Sequence, residues 1–218
     1  MTTVFDILGD TSLLVDAAGE AVLRDEFNHR GAAVVPGPAL EKRLWQALCT
    51  EAALERTRGA WRLEATQVIG EISQENVRGH LGPLGRGLLA SDYTRRLLKQ
   101  VTGLELEPSW SASCYTYYDE PGAYLGEHCD KYDACRVAML TYLLADWPAH
   151  LLPGPGLQLE VFAADSSRSP LVARITSRSN RVVILNGSRQ AHRRAALAPG
   201  ESLTLLAGCF RVATGAAE

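Results

Sequence analysis

The sequence predicts an α+β domain, helices first and then a jelly roll (double-stranded β-helix). Three observations carry that reading. The first half holds amphipathic segments at helical spacing, the chain from Trp110 onward turns to short strand-like runs separated by turn residues, and no linker, repeat or low-complexity tract interrupts the 218 residues. A chain of this length, 46% hydrophobic, can bury one full core. Residues 1–218 are therefore expected to form a single domain, with supporting helices over about 1–105 and the jelly-roll core over about 110–213.

GAAVVPG, bounded by Gly and Pro, reads as a short strand. PALEKRLWQALCTEAALER (38–56) opens on proline and sets Leu40, Leu44, Ala47 and Leu48 at helical spacing. A second helix is expected from about Gly87 to Val101, carrying Leu88, Leu89, Tyr93, Leu97 and Leu98 and ending at Gly103. Between the two, WRLEATQVIGEIS reads as one or two strands whose polar positions can face a ligand. SASCYTYY, RVAMLTYLLADW, LQLEVFAA, PLVARIT, RVVILN, HRRAAL and SLTLLAGCFRVA then follow at the intervals of an antiparallel sandwich or barrel.

Composition bounds the function. A net charge of −3 gives no electrostatic footprint for nucleic acid. The N-terminal stretch has no basic segment followed by an apolar run, and no apolar stretch reaches about 18 residues, so a cytoplasmic protein without a membrane span is expected. The five cysteines (Cys49, Cys114, Cys129, Cys135, Cys209) are odd in number and form no CxxC pair, which predicts reduced thiols. Only Lys42, Lys99 and Lys131 are lysines among 22 basic residues, so an arginine near any site carries little information by itself.

GEHCD, residues 126–130, places His128 and Asp130 two apart, able to point the same way in an extended segment. His192 opens a strand 62 residues after Asp130, a separation that a jelly roll readily closes. Two imidazoles and one carboxylate make a facial triad for Fe(II), with open positions on the other side. Zinc can occupy the same ligands, with hydrolysis as the chemistry. His29, His80 and His150 are poorer candidates, lying near helix ends or in Gly/Pro-rich contexts, and Cys129 alternates away from its neighbours.

From about Phe27 to Ala213 the chain resembles the iron(II)/2-oxoglutarate-dependent dioxygenases, in particular the prolyl-hydroxylase-like and small-molecule hydroxylase branches. YYDEPGAYLGEHCD, RVAMLTYLLADW with the Gly-rich LLPGPGLQLEVF, and RVVILNGSRQAHRRAALAPGESLTLL carry the likeness. The resemblance implies a single oxygenase domain in which His128, Asp130 and His192 bind Fe(II) and act in catalysis. 2-Oxoglutarate would be the cosubstrate, consumed with O2 to give succinate while a small molecule, such as an amino acid or biosynthetic intermediate, is hydroxylated. Tyr118 matches a family tyrosine that contacts the cosubstrate, and Tyr142 is a further candidate. The family's cosubstrate-anchoring Arg or Lys falls here on Ser202, which offers one hydrogen bond where a guanidinium offers a charged pair. Arg194 and Arg211 are the candidate replacements, with Arg136 behind them. Arg62 and Gln67 are the expected substrate contacts, in the segment that precedes the barrel. An iron oxidase of the same fold without 2-oxoglutarate, and a non-catalytic metal-binding jelly roll, are the alternatives.

Overall fold

The computed structural model describes residues 17–35, 37–63, 74–165 and 168–213. The chain runs α1 (Ala17–Arg30), β1 (Ala32–Val35), α2 (Lys42–Gly59), β2 (Trp61–Leu63), β3 (Gln74–Gly79), α3 (Pro83–Ala90), α4 (Asp92–Thr102), β4 (Leu106–Pro108), β5 (Cys114–Tyr118) and β6 (Tyr124–His128). It continues through β7 (Val137–Asp146), a 3-10 turn (Pro155–Leu157), β8 (Gln158–Phe162), β9 (Leu171–Thr176), β10 (Arg181–Leu185), β11 (His192–Arg194) and β12 (Ser202–Val212).

Helix α2 starts later than its proline suggests, because Glu41 is the N-cap, its side chain accepting from the Arg43 and Leu44 amides. The expected helix over 87–101 is two helices. Ser91 leaves helical geometry, ends α3 and caps α4 through its hydroxyl, which accepts from the Thr94 amide. Gly103 closes α4 at φ 75°, a left-handed conformation that favours glycine.

Among the described residues all pairings are antiparallel, in the order β1-β10-β7-β12-β5-β3-β6-β11-β8-β9, with β2 on β3 and β4 on β12. Strand β3 is the junction, pairing with β5 through Val77–Gly79 and with β6 through Gln74 and Glu75. Alternation along the strands divides the core. Met139 and Leu143 of β7, Val182 and Ile184 of β10 and Phe210 of β12 meet Leu44 and Leu48 of α2, Leu88 and Leu89 of α3 and Leu97 and Leu98 of α4. Ala138, Tyr142, Val183, Leu203 and Leu205 turn the other way and pack with Leu159, Val161 and Ile175 of β8 and β9. Fully burying each leucine of the helical layer contributes roughly 1.5–3 kcal/mol.

Buried Glu51 fastens this layer. Its carboxylate accepts from the Leu84 and Gly85 amides at the start of α3 and from the Tyr115 hydroxyl at 2.6 Å. Gly208, which would have to bulge to turn Arg211 inward, instead gives Leu89 room to pack, and the irregularity of β12 lies between Thr204 and Leu205.

The expectation of five reduced thiols is corrected: Cys135 and Cys209 form a disulfide with Cα atoms 4.7 Å apart. Register explains the pairing, since β7 and β12 align Ala138 with Cys209 and so bring the segment before β7 onto the end of β12. Cys49, Cys114 and Cys129 are free. No helix among the described residues is long and apolar enough to cross a membrane.

Candidate metal centre

His128 is the last residue of β6, Asp130 lies in the turn beyond it, and His192 opens β11 directly opposite His128. The two imidazole centroids are 4.2 Å apart, and His128 Nε2 is 3.5 Å from Asp130 Oδ1. One ligand atom from each of the three residues lies within 4.8 Å of the others. Each ring is oriented by the chain just before it: His128 Nδ1 donates to Gly126 O at 3.0 Å and His192 Nδ1 to Gln190 O at 3.1 Å. A carbonyl only accepts, so Nδ1 carries the proton and the bare Nε2 is left for a metal. Two nitrogens and one carboxylate oxygen on one side of a common point are the donor set of a facial Fe(II) triad.

The electrostatics suit the same use. Burial holds the His192 imidazole down to about 4, the charge of His128 adding to this and Asp130 opposing it, so His192 is neutral and ready to ligate near pH 7. Burial pushes the Asp130 carboxyl up, but its contact with the His128 ring and the charges of the two histidines, when they are protonated, and of Arg78 outweigh it and hold it below the ordinary range. In the metal-free protein, between pH 6.5 and about 4 the unfolded chain protonates His192 while the folded chain does not. Folding stability should therefore fall on acidification across that window, by on the order of 3 kcal/mol at its lower end. Urea unfolding at successive pH values tests this, and His192→Gln should flatten the slope.

Gly187 completes the support. Its carbonyl accepts from the Asp130 amide at 2.8 Å, and a Cβ at position 187 would overlap Asp130 Oδ2. Gly187→Ala should displace the carboxylate and lower metal affinity by roughly tenfold or more, read by competition with a chromophoric chelator.

A cavity of about 90 Å3 opens beside the triad. Arg194 lines it, two residues beyond His192 on the same face of β11 and 2% exposed. Its Nη1 donates to Gly156 O at 3.1 Å and Ser177 Oγ at 2.9 Å, and its Nη2 to the Tyr142 hydroxyl at 3.1 Å. The guanidinium lies 5.6 Å from the Tyr118 ring centroid and 5.7 Å from that of Tyr142. Two of its five N–H groups, Nε–H among them, have no partner among the described residues, and no carboxylate there pairs with it. Tyr118 lines the cavity as well, and burial pushes its phenol above the ordinary value, so it stays a hydrogen-bond donor. Tyr142, fully buried, stands behind Arg194.

The other expected contacts separate from this group. Arg211 is turned outward, with its side chain 52% exposed, and pairs with Glu107 at 2.8 Å, which removes it as an anchor. Ser202 starts β12 opposite Asp146 and outside the cavity wall, because Leu203 and Leu205 take the inward positions. Arg136 donates to Asn186 and Ser188 and stacks on Tyr132, holding the turn after β10. Gln67 lies outside the described residues, and Arg62 is placed only by its backbone, opposite Val77 on β3. Cys129 does point away from the ligands, but into a buried contact with Phe162 and Ala191. Arg78 of β3 was not anticipated and lines the cavity; QENVRGH carries no apolar alternation that would signal its facing.

No protein-family model and no curated protein matches the chain. Solved structures do. A prolyl-4-hydroxylase from Pseudomonas putida superposes with a TM-score of 0.63 at 21% identity, covering 89% of this chain and 99% of the other. The non-haem, alpha-ketoglutarate-dependent epimerase SnoN of nogalamycin biosynthesis gives 0.69 at 15%, covering 91% and 85%. HygX from Streptomyces hygroscopicus, with nickel and 2-oxoglutarate bound, gives 0.56 at 15%, covering 86% and 85%. Across that coverage, this chain has the fold of the iron(II)/2-oxoglutarate oxygenases.

Proposed function

We propose that the chain is a single-domain, mononuclear non-haem Fe(II) oxygenase, dependent on 2-oxoglutarate and O2, that hydroxylates a small molecule within a jelly-roll barrel. The observation that carries the cosubstrate is Arg194. A guanidinium held almost wholly out of water, with donors to spare and no carboxylate partner among the described residues, pays a desolvation cost that an arriving anion offsets. An oxidase that dispenses with 2-oxoglutarate has no use for that cation. The fold neighbours support the ligand set: HygX was solved with 2-oxoglutarate and hygromycin B, and SnoN with Fe3+, alpha ketoglutarate and nogalamycin RO.

His128, Asp130 and His192 would hold the metal, and Fe(II) bound there supplies a site at which 2-oxoglutarate and O2 are converted to an oxidant for a C–H bond. The chain's own contribution is positioning and exclusion of water. Arg194 takes the distal carboxylate with its remaining N–H groups, and the Tyr118 hydroxyl donates alongside it. Leu125, Leu159 and Leu205 in the cavity wall keep the local dielectric low, which strengthens that charged contact. The narrow cavity suits a small substrate. Anaerobic addition of 2-oxoglutarate to iron-loaded protein should produce a visible metal-to-ligand charge-transfer band, with succinate released on admitting O2. No band at millimolar 2-oxoglutarate would overturn the reading.

A further inference from the structure

We propose that Arg136 is a positioning residue for the metal centre: its guanidinium joins the two turns that carry or orient Asp130 and His192, and so sets how well the three donors converge on one ion. The proposal rests on the metal-dependent reading of the site and names what holds its geometry beyond the ligands themselves.

Two of the three ligands lean on the same short turn. Residues 186–190 follow β10, and there the Gly187 carbonyl accepts from the Asp130 amide at 2.8 Å while the Gln190 carbonyl accepts from His192 Nδ1 at 3.1 Å. A shift of this turn therefore moves a carboxylate and rotates an imidazole together. The Asp130 carboxylate also packs directly on Gly187, where a Cβ would overlap Oδ2, so there is no slack between turn and ligand. The Asn186 carbonyl closes the turn by accepting from the Arg189 and Gln190 amides, and the Asn186 amide seats it by donating to Gly31 O at 2.7 Å.

Arg136 grips the turn at its centre. It is 9% exposed, and its Nη1 donates to Asn186 Oδ1 at 3.2 Å and Ser188 Oγ at 2.9 Å, on either side of Gly187. The Ser188 hydroxyl donates back to Arg136 O at 3.1 Å. The same guanidinium lies 4.7 Å from the Tyr132 ring centroid, and Tyr132 is two residues beyond Asp130. One side chain thus touches the chain on both sides of the Gly187–Asp130 hydrogen bond. Its own base is fixed, because Cys135 is bonded to Cys209 and Val137 opens β7 opposite Phe210. A planar fork with set donor directions can hold two acceptors and stack on a ring; an ammonium has no plane to stack.

The test reads metal affinity and coordination geometry apart from turnover. Co(II) stands in for Fe(II), its visible d–d bands report geometry, and a chromophoric chelator competes for it. Arg136→Gln should weaken Co(II) binding by roughly tenfold or more, as when the partners of metal ligands are removed, and should shift the bands. Arg136→Lys should recover part of both. Ser188→Ala removes one contact and should weaken binding in the same direction but less; added to Arg136→Gln it should change little, since both act through one turn. Thermal unfolding of the metal-free proteins separates positioning from folding. Lower stability with parental Co(II) affinity and bands would make Arg136 structural only and overturn the assignment, as would losses that simply add in the double variant. If Arg136→Gln does not fold, parental affinity and bands in Ser188→Ala overturn it. A parent that binds neither Co(II) nor Fe(II) overturns the proposal together with the metal reading beneath it. A parent that shows the Arg136 dependence but no charge-transfer band with 2-oxoglutarate supports the proposal and removes only the cosubstrate.

Discussion

Iron retained after desalting should fall from stoichiometric to trace in His128→Ala and His192→Ala, with O2-dependent activity lost in parallel. Changes to groups that merely orient metal ligands already cost about 10- to 100-fold in affinity, so deleting a ligand should cost more. The two variants are not equivalent. His192 is 4% exposed and faces His128 across β6 and β11, so its removal opens a hole in a packed layer, whereas His128 ends its strand. Thermal unfolding of the metal-free variants separates ligation from packing: a shared loss of iron with unequal loss of stability is expected. Full iron stoichiometry in either variant would remove that residue from the site. Asp130→Gly should be milder, two imidazoles still gripping the metal weakly.

Arg194→Gln should raise the 2-oxoglutarate concentration that half-saturates the charge-transfer band by roughly ten- to a hundredfold, the loss expected when a charge-assisted contact worth about 1.5–3 kcal/mol is removed. Iron content should be unchanged, because Arg194 contributes no ligand atom. Arg211→Ala is the control: its side chain is outside the cavity on Glu107, and the titration should not move. An unchanged titration in Arg194→Gln would detach the cosubstrate from this residue.

Helix α4 and the inward-facing strands were legible because apolar residues recur at the period of the element. Leu97, Leu98 and Val101 mark one face of α4, and β7 is a nearly continuous apolar run that is buried on both faces. Helix α1 escaped, since only Leu23 and Phe27 of its described side chains are buried, too little to make a stripe. Strand β6 escaped for a related reason. All five of its residues are half-buried, so YLGEH shows no alternation, although it carries a metal ligand. The triad could be read because its chemistry is rare and its order along the chain is informative. The anchor could not be decided in the same way. Parity favoured Arg194 as the inward neighbour of His192, but Ser202 could be excluded only once the register of β12 put Leu203 and Leu205 inside, and Arg211 only once its side chain was found outside on Glu107. Arg78 was hidden by an ambiguous strand, and its inward facing follows from pairing with Thr116, a long-range fact.

The disulfide between Cys135 and Cys209 has a practical consequence for every experiment above. It encloses β7 to β11 and the first part of β12, and with them His192 and Arg194, in a covalent ring that begins five residues after Asp130. Ascorbate and dithiols both keep iron ferrous, but only a dithiol opens a sulfur–sulfur bond by thiolate attack. Iron protected by ascorbate and iron protected by dithiothreitol would then be held by two covalently different proteins.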